Sequence, residues 1–190
     1  MLGFDFRELD GLGVAVGPGS FSGIRIGLAT VKGMALALQM PVAGISSLDV
    51  LAWDALKEGE VGASLIDAKR GDIYTCIYRK EGEDLVSLRG PMLLRVDQFP
   101  RFLDNLGMSV RVFGDEVADE RWEHRVSSTS GSGSRPSPST CARLAEHRIR
   151  SGRADNIHAL TPLYIRRSDA EEKKYGKNAE KNPQDLPRIN

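Results

Sequence analysis

The stretch that decides the fold is GVAVGPGSFSGIRIGLATVKGMALALQMPVAGISSL, from Gly13 to Leu48. A short apolar strand, Leu12 to Val16, opens this region and a glycine-rich turn follows it at once. A long apolar helix is predicted from about Ser20 to Met40, and a second short strand from Val42 to Gly44. A strand, a helix and a strand joined by tight turns predict a parallel strand pair with the helix packed on its face.

The turn combines residues with special backbone preferences. Gly17 and Gly19 allow angles closed to other residues, and Pro18 fixes its own φ. Ser20 is a good helix N-cap. A glycine turn at a helix N-terminus is also an anion site in some proteins, so a tight connection and an anion-binding turn both remain open. The spacing matches neither the dinucleotide fingerprint nor the Walker A loop. The motif comprises Gly17, Pro18, Gly19, Ser20, Phe21 and Gly23.

The predicted helix is apolar on most of its circumference. One stripe at helical spacing is Ile24, Leu28, Val31, Ala35 and Leu38, and another is Ile26, Ala29, Gly33, Leu36 and Met40. A helix of this kind is buried, so the sheet alone does not cover it. Its second cover is either another helix of the same chain or a partner protein. The face predicted to meet a partner is Arg25, Leu28, Lys32, Leu36 and Gln39.

Composition limits the class of protein. The 190 residues suit one domain or two small lobes, and 41% of them are hydrophobic, an ordinary globular value. Lys plus Arg and Asp plus Glu balance at 26 each, which disfavours direct nucleic-acid binding by this chain. Cys76 and Cys141 have neither a disulfide framework nor metal-ligand spacing. With no signal peptide or membrane-spanning segment predicted, we expect a cytoplasmic protein.

Three segments resemble one known family. GPGSFSGIRIGLATVKGMALAL followed by PVAGISSLDVLA, the segment from Asp67 to Tyr74, and the segment from Pro162 to Arg167 are similar to elements of the bacterial TsaB (YeaZ) family. The resemblance implies an α/β, actin-like (ASKHA, RNase H-like) two-lobed fold. It also implies a non-catalytic partner of the TsaD subunit, in the complex that places threonylcarbamoyl on the adenosine beside the tRNA anticodon.

The resemblance has further implications for cofactors and partners. A TsaE-like ATPase and a homodimer are implied as further partners. ATP or ADP is implied only at an interface shared with the partner subunit. The N-terminus disfavours this nucleotide site. Family members begin with an ILAIDTS-like strand, a hairpin and a helix that are not in this sequence. We therefore expect an N-terminally truncated chain whose first sheet has an uncovered edge. Two explanations of this truncation remain open: the start was assigned too late in the gene, or the gene is a degenerate copy.

Catalytic groups are not indicated. Where TsaD-type relatives carry metal-binding histidines, this chain has Ser47 and Leu51, so neither catalysis nor a metal site is expected. His124, His147 and His158 lie at no metal-ligand spacing. The alternatives to an accessory subunit are a glycoprotease-like peptidase with Ser20 as nucleophile, and a non-functional truncated copy.

The rest of the chain reads as a second α/β lobe. Predicted strands and one helix fill residues 62–158, with a flexible loop at 127–140 and a helix from Cys141 to Arg150 capped by Thr140. A second helix from Ser46 to Leu56 completes an incomplete N-terminal lobe, residues 1–61, to which residues 159–170 return. Residues 171–190 are predicted to be disordered. Asp67 and Asp72 are interpreted as turn residues rather than paired catalytic carboxylates.

Overall fold

The computed structural model describes residues 5–114 and 135–166. His124, the predicted tail at 171–190 and most of the predicted loop at 127–140 lie outside these ranges. The described helices are α1 (Phe21–Leu38), α2 (Ser47–Ala55), α3 (Phe99–Asp104) and α4 (Pro138–Arg150), with 3-10 turns at Phe6–Glu8 and Val96–Gln98. The strands are β1 (Leu12–Gly17), β2 (Val42–Ser46), β3 (Val61–Lys69), β4 (Asp72–Glu81), β5 (Asp84–Arg95) and β6 (Arg111–Gly114).

The predicted βαβ unit is confirmed. β1 and β2 pair in parallel with Leu12 opposite Val42, and α1 connects them. Ser20 caps α1, because its side-chain oxygen accepts a hydrogen bond from the Gly23 N–H at 3.3 Å. The helix ends at Gln39, which adopts the left-handed conformation at φ 54. This unit, with α4 on its other face, is called the first lobe below. The predicted second lobe, residues 62–158, included the α4 helix, whereas α4 packs on β1 and β2.

The second lobe is a four-stranded mixed sheet with the order β5-β4-β3-β6. β3, β4 and β5 form an antiparallel meander, and β6 returns parallel to β3. Helix α2, capped by Ser46, connects the two lobes because it follows β2 directly and packs its apolar side on the second sheet. The core at this junction contains Leu48, Leu51, Ala52, Leu56, Ile66, Cys76, Tyr78 and Phe113.

Helix α4 begins three residues earlier than the sequence indicated. Ser137 is its N-cap, and Pro138 occupies the first turn, where its missing N–H costs nothing. The prediction that Thr140 is the cap and that the loop extends through residue 140 is therefore wrong. Thr140 is buried instead, and its hydroxyl donates a hydrogen bond to Asp54 on α2 at 2.6 Å.

The segment from 155 to 166 returns to the first lobe. Asp155 pairs with Val42 at the outer edge of β2, and the Leu163 N–H donates to the Val16 carbonyl at 2.8 Å. Leu163 is buried in the same core cluster as Val14 and Leu28. The C-terminal segment is therefore hydrogen-bonded through its backbone to both β1 and β2.

Candidate functional site

The strongest candidate for a functional surface is one face of α1. Of its 18 residues only Leu28 and Ala35 are buried. They lie against the strands with partly buried Val31, so the first apolar stripe is covered by this chain. The second stripe faces outward: Ile26 is 68% exposed, Leu36 is 53% exposed, and Ala29 and Gly33 between them are exposed as well. We call Ile26, Ala29, Gly33 and Leu36 the α1 outer face.

The α1 outer face has a shallow middle. Ala29 and Gly33 present little or no side chain, and a Cβ built on Gly33 meets no atom within 4 Å. Ile26 and Leu36 rise on either side of this gap. Small residues between larger apolar ones allow another backbone to come close and still bury the larger side chains.

Gly33→Ala is expected to stabilise the folded chain, because Gly33 lies in the interior of an exposed helix and the added methyl group meets open space. The gain is about 0.5–1 kcal/mol in the free energy of unfolding, measured by urea titration. Gly62→Ala is the contrasting variant, since its Cβ would lie 2.5 Å from Phe113 and 2.9 Å from the Arg111 carbonyl. A loss of stability in Gly33→Ala would show that α1 is not exposed at this position.

The structure divides the five residues predicted to meet a partner. Leu36 is on the α1 outer face, and Gln39 is the exposed cap residue. Leu28 is only 5% exposed and packs in the core, so its inclusion in the partner-facing set is corrected: its side chain is not at the surface. Of the predicted mixed face, Leu36 alone belongs to the exposed apolar stripe.

Arg25 and Lys32 both bind the returning C-terminal segment. The Arg25 guanidinium lies over the Phe21 ring at 3.8 Å, and its Nε donates to the Tyr164 hydroxyl at 2.8 Å. The Lys32 ammonium donates to the Leu160 carbonyl at 3.1 Å. These two residues therefore hold α1 against residues 160–164, and the Phe21–Arg25–Tyr164 stack borders the α1 outer face.

The glycine turn is packed rather than open. Gly17 and Pro18 are buried, whereas Gly19 and Ser20 are exposed. Gly17 has φ +112, a conformation that requires glycine, and a Cβ there would lie 3.0 Å from Ile24. The Ser20 hydroxyl is occupied as the helix cap. These contacts explain the turn as a tight connection, and its use as an anion site stays a prediction.

The charged residues of the β3–β4 turn bind one another and the C-terminal segment. Asp67, at the end of β3, accepts a hydrogen bond from the Lys69 N–H at 2.7 Å, which confirms the predicted bond to nearby backbone. The Lys69 ammonium also donates to Asp67, and this side-chain hydrogen bond lowers the pKa of Asp67. Asp72 does not bond nearby backbone as interpreted. It forms ion pairs with Arg166 and, at 3.7 Å, with Arg95, and Arg166 also donates to the Ala68 carbonyl. Asp72 thus connects the second lobe to the C-terminal segment.

Within residues 5–114 and 135–166, no three His, Cys, Asp or Glu side chains come close enough to one another to hold a metal ion. Ser47 and Leu51 are buried, and Leu51 belongs to the core between the lobes. Burial raises the pKa of the Cys76 thiol to about 11, so this cysteine is not a nucleophile at neutral pH.

Helix α1 is also the one described helix long and apolar enough to cross a membrane by length and composition. Buried helices of globular proteins share these properties. Both ends of α1 join strands that pair with each other, so the helix lies along the sheet in this fold.

The comparisons with known proteins decide the family. Residues 1–111 match the protein family described as TsaD: tRNA N6-adenosine threonylcarbamoyltransferase. The tRNA threonylcarbamoyladenosine biosynthesis protein TsaB of Bacillus subtilis is 28% identical over 88% of this chain and 74% of its own length. This chain belongs to the TsaB (YeaZ) family.

Further relatives show how far the match extends. TsaB of Escherichia coli is 33% identical over 42% of this chain and 35% of its own length, so the match spans about a third of that protein. An uncharacterized Mycobacterium bovis protein is 30% identical over 86% of this chain and 67% of its own length. A solved Pseudomonas aeruginosa structure, described as similar to peptidase YEAZ, has a TM-score of 0.70 at 24% identity, covering 86% of this chain and 77% of its own. The actin-like α/β fold expected of a TsaB-family chain is thereby confirmed.

The residues that sequence reasoning missed are Phe21, Tyr164 and Asp49. Phe21 was named only as part of the glycine motif, and Tyr164 only as part of the C-terminal resemblance. Phe21 and Tyr164 are 143 residues apart in the sequence, so no local pattern predicts the contact between their rings. Asp49 lies within the predicted second helix, and its carboxylate accepts a hydrogen bond from Tyr78 on β4 at 2.5 Å. No sequence signal distinguishes such a buried acid from an ordinary first-turn aspartate.

Proposed function

We propose that this chain is an accessory, non-catalytic subunit in tRNA threonylcarbamoyladenosine biosynthesis, acting in the cytoplasm by binding a TsaD-like catalytic subunit. The biosynthetic process in this proposal comes from the relatives, which are named tRNA threonylcarbamoyladenosine biosynthesis protein TsaB. The observation that supports a binding role is the α1 outer face, on which two large apolar side chains are more than half exposed, whereas Leu28 and Ala35 on the opposite side are buried against the strands.

The α1 outer face suits a protein partner better than solvent. Apolar surface gains about 25 cal/mol per Å² when it is removed from water, and Ile26 and Leu36 each offer a large side chain for this purpose. The Phe21–Arg25–Tyr164 stack at its border adds the residue types that contribute most at protein interfaces. A TsaD-like subunit that packs a helix into the gap at Ala29 and Gly33 would bury all four residues.

Leu36→Asp is the direct test of this surface. The change places a charge within a proposed apolar contact, so we expect affinity for the TsaD-like subunit of the same organism to fall at least 100-fold, because an unpaired buried charge costs several kcal/mol. Ile26→Asp should act in the same way. Isothermal titration calorimetry or co-purification measures the loss, and a tRNA modification assay with the reconstituted complex measures its consequence.

Arg143→Ala is the matched control. It changes the net charge of the chain by the same amount as Leu36→Asp, at an exposed position on α4 in the same lobe. We expect its affinity for the partner to equal that of the unmodified chain. Full binding by a correctly folded Leu36→Asp chain would refute the α1 outer face as the partner surface. A failure of the unmodified chain to bind would refute the accessory role itself.

A further inference from the structure

The buried acid between the lobes does not take part in the proposed binding surface. Asp49 lies in the first turn of α2, and its carboxyl faces the second lobe, where the Tyr78 hydroxyl donates to Oδ1 at 2.5 Å. Tyr78 is 3% exposed. Asp49 is half-buried, and the Tyr78 ring covers its carboxyl from the side of β4. An ionisable group is therefore placed inside the contact between α2 and β4.

We propose that Asp49 is a protonation-sensitive joint between the two lobes: with the carboxyl neutral α2 is held firmly on the second sheet, and with the carboxyl ionised this contact loosens.

The neutral form fits the site better than the charged form. Burial raises the pKa of Asp49 to about 6, and hydrogen bonds from Tyr78 and Ser46, with the positive charge of Arg148, offset only part of this effect. The Arg148 guanidinium, which donates to the Gly44 carbonyl and to Asp155, acts on Asp49 through its positive charge. An ionised Asp49 is thus placed in an apolar contact with partial compensation.

Other charged and titratable groups near α2 are engaged elsewhere. Arg111 on β6 donates to the Ala55 carbonyl at the far end of the helix, and Lys80 on β4 lies over the Trp53 ring at 3.1 Å. Asp54, which points to α4, accepts from Thr140. Cys76 on β4 lies near enough for the charge of Asp49 to raise its pKa, but burial keeps that thiol neutral below pH 8. His147 on α4 contacts Asp84 and Arg153 rather than Asp49. Asp49 is therefore the carboxyl that titrates within the contact between α2 and β4.

The sign of the pH effect follows from the direction of the shift. A folded-state pKa near 6, above the unfolded value near 4, means that the folded chain binds this proton more tightly than the unfolded chain. The stabilising effect of the proton is fully present below pH 4 and is lost as pH rises through 6. The lobe contact is therefore strongest on the acid side of neutrality.

Asp49→Asn is the principal test, because asparagine keeps the shape and the acceptor for Tyr78 but does not titrate. Unfolding of the full chain by urea is followed from pH 4.5 to pH 7.5. Relative to Asp49→Asn, the unfolding equilibrium constant of the unmodified chain should rise on the order of 30-fold over this range. In Tyr78→Phe the carboxylate loses a donor, so the same step should move to higher pH. Parallel pH profiles for the unmodified chain and Asp49→Asn would overturn the proposal.

Two measurements on the unmodified chain keep the test decisive if a variant fails to fold. The carboxyl carbon of Asp49, followed by NMR, should titrate near pH 6, and a midpoint near 4 would overturn the proposal. Amide hydrogen exchange, corrected for its intrinsic pH dependence, should accelerate in α2 and β4 but not in α1 as pH passes 6. Titration near 6 with unchanged exchange in α2 and β4 would also overturn it, because the group would then titrate without loosening the contact.

Discussion

Arg148→Met is expected to destabilise the chain by on the order of 2–4 kcal/mol, somewhat below the cost of breaking a fully buried ion pair because Asp155 keeps 28% exposure. The guanidinium joins three segments that are distant in sequence: it lies on α4, donates to the Gly44 carbonyl of β2 at 2.7 Å, and pairs with Asp155 at 3.2 Å. Methionine retains the apolar length but leaves both oxygens without this partner. The free energy of unfolding from urea titration measures the loss.

Arg150→Met is the matched control on the same helix. Arg150 pairs with Glu146 at 2.9 Å, but its side chain is 75% exposed. Exposed ion pairs of this type contribute less than about 1 kcal/mol. A loss in Arg148→Met no larger than that in Arg150→Met would contradict the importance of the contact between α4, β2 and Asp155.

Local patterns were sufficient for the elements around the glycine turn. The short apolar strand β1, the cap at Ser20 and the tight turns are short-range signals, and the parallel pair β1–β2 follows from them. The helix that begins near Ser46 and the strands of the second lobe were predicted from signals of the same kind. The boundary of α4 was missed because proline in a first helical turn resembles a loop when it stands in a run of Ser, Pro and Thr.

Local sequence patterns do not predict which face of α1 packs against the sheet. Both apolar stripes have helical spacing, so periodicity alone does not tell which one meets the sheet. The sequence predicts that Arg25 and Lys32 belong to the partner-facing surface, and the structure shows them bound to residues 160–164, more than 120 positions away. Tertiary contact with the returning segment therefore decides that the stripe of Ile26 and Leu36 faces outward.

Leu51→Ala is expected to lower the free energy of unfolding by about 2–5 kcal/mol, the range for emptying a leucine site in a packed core. Leu51 is 1% exposed and lies in the cluster that joins α2 to the second sheet, with Phe113 and Tyr78 as neighbours. The cavity would open at the contact between the lobes. Urea unfolding monitored by circular dichroism measures the change.

Leu36→Ala is the same substitution on the exposed side of α1 and separates stability from binding. Because Leu36 is 53% exposed and alanine favours helix, its free energy of unfolding should stay within about 0.5 kcal/mol of that of the unmodified chain. If Leu36 lies in the partner contact, this variant should weaken binding of the TsaD-like subunit, while folded Leu51→Ala should retain it. Equal destabilisation by the two substitutions would mean that α1 buries Leu36 within its own chain, and the α1 outer face would then have no surface to offer a partner.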